Sequence, residues 1–147
     1  AALALTTQSS TKIYKTRASN GNRPAVFRMD AQLAEGSLVA VVPDSVVPFR
    51  NARYAQHQTF HVTPNSSLVV VDICGAGRSA CGERWAFDEY SSTLSLIPAH
   101  VSKTQPAYCD ALTLDSSLRG SMNWGMDLGG VQRDVLATVV CVGPQTA

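Results

Sequence analysis

Two histidines, His57 and His61, stand four residues apart and are the first candidates for metal-binding chemistry. On a helix this spacing would place both imidazoles on one face, within reach of one metal ion. On a strand, at about 3.3 Å per residue, the same spacing separates them by about 13 Å, too far for both to ligate one ion unaided. The surrounding stretch YAQHQTFHV has the composition of a strand. We therefore treat both as weak metal candidates and favour a surface or interface position.

A glycine-rich loop, GAGRSACGE, is the most distinctive stretch that could bind a ligand. Gly77 and Gly82 supply the backbone freedom of a sharp reversal, and each is followed by an ionisable residue, Arg78 and Glu83. The loop lacks the GK[ST] ending of a P-loop and the GxGxxG spacing of a dinucleotide fold, so nucleotide binding is not indicated. Arg78 and Glu83 either pair with each other beside the turn or project into a cavity or partner surface.

Hydroxyl side chains cluster near the start of the chain, at Thr6, Thr7 and Ser9 among others. No base stands beside them to activate a nucleophile, so we interpret them as a polar strand face that meets water or lines an internal cavity. The chain also has no GxSxG elbow and no acid/base pair of suggestive spacing. An enzyme would have to use His57 or His100 with a perturbed pKa in a deep pocket, and we expect no enzymatic activity.

Composition excludes several classes of partner. The net charge is +1 and only 16% of the residues are charged, so there is no electrostatic footprint for nucleic acid or a membrane surface. No stretch approaches the roughly 20 apolar residues of a membrane span. With 147 residues the chain fits one domain with its own hydrophobic core.

Four cysteines leave the redox state open, because Cys74, Cys81, Cys109 and Cys141 could form two disulfides or remain thiols. Their spacing matches no zinc signature. We expect reduced, structural cysteines in a cytoplasmic protein. The alternative is a secreted, disulfide-linked β binding module, in which Cys74 would pair with Cys81 and Cys109 with Cys141.

The elements that hold these residues are predicted to be strands, since turn signals recur about every ten residues and no normal helix is indicated. Residues 68–73 read as a central strand because they are nearly all apolar and mostly β-branched. Pro43 and Pro48 should confine the segment PDSVVPF to a short extended or edge piece. The other predicted strands are 5–17, 25–33, 37–42, 54–62, 86–97, 111–118 and 135–142, with a loop over 98–109 and a second glycine-rich loop over 120–130.

Four ordered segments resemble the UreD (UreH) family of urease accessory proteins. They are LTTQSSTKIYKTR (5–17), VVPDSVVPFRNARYAQ (41–56), LVVVDICGAGRSACGERWAFDEYSS (68–92) and DVLATVVCVGP (134–144). The resemblance implies an all-β fold, a coiled, helical array of mostly antiparallel strands around an interior passage. Relative to the family the chain lacks the opening strands and the part beyond the DVLAT strand, so we expect residues 1–147 to be one partial UreD-like domain.

The resemblance also implies a function. UreD-like proteins are non-enzymatic factors that bind apo-urease and UreF, and the complex recruits the GTPase UreG, which brings nickel. It implies no tightly bound cofactor, only transient nickel, an ion that accepts imidazole, carboxylate and water ligands. Where the motifs match, the resemblance implies that Thr6, Thr7 and Ser9 line the interior.

At the GAGRSACGE motif it implies a role in loop architecture or in contact with a partner. The residues concerned are Gly77, Arg78, Gly82 and Glu83.

Overall fold

The computed structural model describes residues 1–99, 106–117 and 133–146, and strands dominate this part of the chain. The strands are β1 (Ala2–Leu5), β2 (Thr11–Ile13), β3 (Ala25–Gln32), β4 (Leu38–Val41), β5 (Val46–Pro48), β6 (Arg53–Val62), β7 (Ser67–Gly75), β8 (Glu89–Pro98), β9 (Tyr108–Asp115) and β10 (Val135–Val142). Two single 3₁₀ turns lie at Ala18–Asn20 and Ser79–Cys81. Within the described ranges no helix is long and apolar enough to cross a membrane.

The strands form two sheets. The first has the order β1-β4-β7-β5-β2, with β10 on the other side of β7, and the second has the order β3-β6-β8-β9. The chain alternates between them: β1 and β2 lie in the first sheet, β3 in the second, β4 and β5 in the first again, and β6 in the second. Each pass lies beside the previous pass through the same sheet, so the backbone winds as a coil.

This winding makes most of the strand pairs parallel. Among the described residues six pairings are parallel, and two, β8 with β9 and β7 with β10, are antiparallel. The expected predominance of strands is therefore found, whereas the expectation of mostly antiparallel strands is wrong. The physical reason is that the chain crosses to the other sheet before it returns, so it re-enters each sheet in the same direction.

The predicted central strand is confirmed, because β7 has β4 and β5 on one side and β10 on the other. The short proline-bounded piece is also a strand of three residues, but it is not at an edge: β5 lies between β2 and β7. It tolerates this position because it pairs with β7 only at Val46, opposite Cys74, before Pro48 removes a backbone donor.

The single strand predicted over residues 5–17 is wrong, because β1 ends at Leu5 and β2 covers only Thr11–Ile13. Strand β3 shows the predicted alternation of less exposed and more exposed side chains only in its second half. In the first half Phe27 lies on the inward face and is nevertheless 40% exposed. In the segment expected to be a loop over 98–109, β8 runs to Pro98 and β9 begins at Tyr108. His100 and the second glycine-rich loop lie outside the described residues.

The space between the sheets contains two hydrophobic clusters. One packs Leu68 and Val70 of β7 against Phe60 of β6 and two leucines of β8. The other is more aromatic and is built around Tyr54, Tyr90 and Phe87. Because both sheets contribute to both clusters, burial of these inward faces holds the coil together.

Candidate functional site

A layer of polar side chains separates the two hydrophobic clusters. The inward face of β6 shows it most simply, where Tyr54 belongs to the aromatic cluster and Phe60 to the aliphatic one. The two inward positions between them are Gln56 and Gln58, which are only 6% and 5% exposed. Alternate residues of a strand face the same side, so the four side chains form one row that changes from apolar to polar and back.

The neighbouring strands continue the layer. On β7 the inward residue between the clusters is Asp72, and on β8 it is Ser92. The Ser92 hydroxyl donates to Asp72 Oδ2 at 2.5 Å, and the Tyr90 hydroxyl lies 3.4 Å from Asp72 Oδ1. The Gln56 amide donates to Ser92 Oγ at 3.4 Å and accepts from the Tyr54 hydroxyl at 3.1 Å. One hydrogen-bonded network therefore spans both sheets.

A cavity of about 140 Å³ adjoins this network. Thr6 and Thr7 line it, together with Gln56, Gln58 and Asp72. The remaining lining residues are Leu5, Thr11, Phe27, Met29, Val41, Pro43, Asp44, Val46, Tyr54 and Ile73. Ser9, the third hydroxyl residue predicted to line the interior, is exposed and is not among the residues that line this cavity.

The environment of the network favours neutral phenols. Burial, followed by the nearby Asp72 carboxylate, raises the pKa of Tyr54 to about 12. The same two causes, in the same order, raise the pKa of Tyr90 further. Both hydroxyls therefore keep their protons at neutral pH and act as hydrogen-bond donors. The network thus combines carbonyl and hydroxyl oxygens with a single carboxylate.

Such a set of oxygens can accept hydrogen bonds from a hydrated cation without replacing its whole hydration shell. In the described residues no group of three or more His, Cys, Asp or Glu side chains is placed to hold a metal ion. A divalent ion tightly bound by carboxylates or imidazoles would need such a group. The layer therefore presents amide, hydroxyl and carboxylate oxygens beside the cavity.

The glycine-rich loop holds an ion pair. Arg78 donates to Glu83 through Nε at 3.0 Å and through its terminal nitrogen at 2.6 Å, and the Arg50 backbone N–H donates to the same carboxylate at 3.2 Å. The Arg78 guanidinium also lies 4.4 Å from the ring centroid of Phe49. These contacts lower the pKa of Glu83, the Arg78 hydrogen bond being the largest cause.

The two glycines of the loop differ in their surroundings. A Cβ on Gly77 would lie 2.9 Å from the Pro48 carbonyl oxygen and 3.0 Å from that of Glu83. Gly82 has no atom within 4 Å of the same position. None of Gly77, Arg78, Gly82 and Glu83 is among the described residues that line the cavity.

The two histidines lie on the outer face of β6. They alternate with the inward-facing glutamines and therefore point away from the cavity. His61 Nε2 lies 3.5 Å from Asp30 Oδ1 of β3, while His57 is opposite Arg28 and Thr93. The structure does not bring the two histidines together.

A comparison with models of protein families identifies the family to which this chain belongs. The model of the UreD urease accessory protein family matches residues 1–147, the whole chain. The chain belongs to the UreD family. Similar proteins include urease accessory protein D of Oryza sativa subsp. indica, 38% identical over 98% of this chain, and UreD of Sorangium cellulosum, 39% identical over 100% of it.

UreD is a family of urease accessory proteins and not a family of enzymes, and this chain is a member of it. The matched regions are 44% of the rice protein and 43% of the Sorangium protein, so the chain spans less than half the length of these UreD relatives.

Sequence reasoning missed the core of the site, namely Gln56, Gln58, Asp72 and Ser92. A signal for part of it exists in YAQHQTFHV, where two glutamines occupy alternate positions between Tyr54 and Phe60. The other members were not detectable this way, since each is a single polar residue within a different strand.

Proposed function

We propose that this chain acts in urease maturation as a non-enzymatic scaffold that binds apo-urease together with UreF and UreG. In this proposal nickel is cargo: it passes through the interior of the coil on its way to the urease active site and is not retained. We place this activity in the cytoplasm, where thiols stay reduced.

The observation that carries the proposal is the polar layer between the two hydrophobic clusters. A buried glutamine and a buried serine are costly in a protein core unless they are hydrogen-bonded, and here Gln56 donates to Ser92 and Ser92 donates to Asp72. An ordinary two-sheet core would be apolar at these positions. A continuous polar layer beside a cavity is what an interior route for a hydrated ion requires.

Electrostatics suits passage better than storage. Asp72 is the only carboxylate in the described hydrogen-bond network, and Asp44 is the other carboxylate that lines the cavity. One or two carboxylates attract a divalent cation, while amide and hydroxyl oxygens replace water one ligand at a time. A conduit should bind its ion weakly enough to release it, and a mixed lining that contains two carboxylates, amide and hydroxyl oxygens and no cysteine among the described residues supports this.

The secreted, disulfide-linked alternative has less support. All four cysteines are free thiols in the structure, and Cys74 is buried in the aromatic cluster whereas Cys81, Cys109 and Cys141 are exposed. A thiol inside the core packs as a small apolar group, in line with the role expected of a reduced protein.

The test is capture followed by activation. The tagged 147-residue chain is mixed with apo-urease and UreF, the retained proteins are identified, and urease activity is measured after nickel, UreG and GTP are added. We expect both partners to be retained and activity to require the chain and nickel, with parallel reactions lacking each as controls. Activation that proceeds equally without the chain would refute the proposal.

A further inference from the structure

The glycine-rich loop is bonded to the turn that follows β5. The carboxylate of Glu83 accepts the Arg50 backbone N–H at 3.2 Å. The Arg78 guanidinium, which donates twice to the same carboxylate, lies 4.4 Å from the ring centroid of Phe49. The ion pair therefore contacts two consecutive residues of the turn, one through a hydrogen bond and one through a cation–π contact.

Gly77 extends this contact to β5 itself. A Cβ at this position would lie 2.9 Å from the carbonyl oxygen of Pro48, the last residue of β5. Only glycine allows the backbones of the loop and the strand to approach so closely. The loop therefore contacts residues 48–50 without interruption.

The sheet itself holds β5 with few contacts. The strand covers only Val46–Pro48 and pairs with β7 at one position, Val46 opposite Cys74. Its other neighbour, β2, is also a strand of three residues. A short strand with so few ladder bonds opens locally at a low cost in free energy. The position of β5 therefore depends on the contacts that hold its end.

The segment that leads into β5 forms one wall of the cavity. Pro43, Asp44 and Val46 line the cavity. The Asp44 backbone N–H also donates at 2.8 Å to the hydroxyl of Thr7, another lining residue. A shift of β5 would therefore move a carboxylate and a hydroxyl of the lining together.

From these observations we propose that Arg78 and Glu83 are positioning residues for the route of nickel. They hold the end of β5 and so keep the wall formed by Pro43, Asp44 and Val46 in place, although neither of them lines the cavity. The effect on nickel rests on the proposed function, whereas the link between the ion pair and β5 does not.

Hydrogen bonding favours this role over contact with a partner. Both oxygens of the Glu83 carboxylate are engaged within the chain, Oε1 by Arg78 and Oε2 by Arg78 and the Arg50 backbone. Glu83 is only 8% exposed. Because the carboxylate is already satisfied, its charge serves the internal contacts.

Amide hydrogen exchange of the chain alone tests the link between the ion pair and the cavity wall. The Thr11 N–H donates at 3.0 Å to the carbonyl of Ser45, which lies in that wall segment. In Arg78→Met the protection of this amide should fall about tenfold, because a charge-assisted contact that holds β5 is lost. The Ser67 amide, bonded to Ser37 elsewhere in the first sheet, should keep its protection.

Glu83→Ala is the second variant, and Glu89→Ala is its matched control. Glu89 also pairs with an arginine, Arg53 at 3.0 Å, but it lies at the start of β8 in the second sheet. Glu83→Ala should lower the protection of the Thr11 amide as Arg78→Met does. Glu89→Ala should leave it unchanged.

A nickel titration of urease activation, with apo-urease, UreF and UreG present, tests the effect on the route. Arg78→Met should raise the nickel concentration for half-maximal activation about tenfold, as loss of a contact that orients metal ligands does, and should leave the maximum unchanged. Arg78→Lys keeps the charge and should restore most of the nickel response. A variant that only folds less well would lower the maximum without shifting the half-maximal concentration.

Unchanged protection of the Thr11 amide in both Arg78→Met and Glu83→Ala would overturn the proposal, as would an equal loss in Glu89→Ala. So would a lowered maximum of activation with no shift in the half-maximal nickel concentration, because the role of the pair would then be structural only. If the unmodified chain activates no urease, the proposed function fails instead, and hydrogen exchange alone decides whether the ion pair holds the wall.

Discussion

At the scale of single residues, Cys74 shows how burial controls chemistry. Its thiol lies in the aromatic cluster, where burial, followed by the charge of Asp72, raises its pKa to about 12. Only a thiolate reacts readily with disulfide reagents, so this cysteine should be inert in the folded protein. The other three cysteines are exposed.

We therefore predict that Ellman's reagent at pH 8 titrates three thiols in the native, unreduced chain and the fourth only after unfolding. Cys74→Ala should leave the native count unchanged and lower the denatured count by one. Rapid reaction of all four native thiols would contradict the buried position of Cys74, and reaction of none would favour the disulfide-linked alternative.

The Arg78–Glu83 pair predicts how stability depends on pH. Because the pKa of Glu83 is lowered below its ordinary value of about 4.5 in the folded chain, the unfolded chain binds this proton more readily. The stabilisation by the pair is therefore complete above about pH 4.5 and is lost as pH falls through the lower folded value.

Urea denaturation followed at a series of pH values between about 6 and 3 tests this linkage. Glu83→Gln should flatten the loss of stability at the acid end, and Arg78→Met should flatten it similarly because the pKa shift depends on the pair. A Glu83→Gln curve parallel to that of the unmodified chain would show that the pair does not supply the linkage.

At the scale of elements, the glycine-rich turn offers a matched comparison of two glycines, Gly77 and Gly82, that differ in their surroundings. Gly82→Ala adds a side chain to a left-handed residue in open space and should cost about 1 kcal/mol. Gly77→Ala also forces its Cβ against two carbonyl oxygens and should cost about 3 kcal/mol or more. Urea midpoints of the two variants measure the difference, and equal costs would mean that the turn does not pack against Pro48 as described.

Sequence patterns located several strands because the signal for a strand is local. The apolar run before Gly75 and the apolar run after Asp134 became β7 and β10, close to their predicted bounds. The direction of pairing was not predictable. Side chains alternate in the same way in parallel and antiparallel strands, and the parallel order arises from crossings between sheets that no local pattern encodes.

The site was predictable only where its residues are neighbours in the sequence. The pairing of Arg78 with Glu83 was one of two arrangements left open by their five-residue separation. The link between Asp72 and Ser92 joins two sheets, so no spacing rule applies to it. On β6 polar residues occupy both faces, and sequence alone does not tell whether the glutamines or the histidines point inward.

At the scale of the whole molecule, a polar layer divides the core between the two sheets into two hydrophobic clusters. The aliphatic and aromatic clusters account for folding, and neither needs the glutamines, the serine or the aspartate between them. Replacing a satisfied buried polar network by apolar groups is often neutral for stability. The proposed passage of nickel rests on this network, which spans both sheets beside a cavity.

The measurement that tests this account most directly is urease activation by the Asp72→Asn chain in the presence of UreF, UreG and nickel. The substitution removes the charge of the network and keeps its shape, so we predict normal capture of apo-urease but about tenfold less nickel-dependent activation. Ser92→Ala should act in the same direction, whereas Ser91→Ala, one residue away on the outer face, should have no effect. Full activation by the Asp72→Asn chain, with capture intact, would contradict the claim that nickel travels through the polar layer.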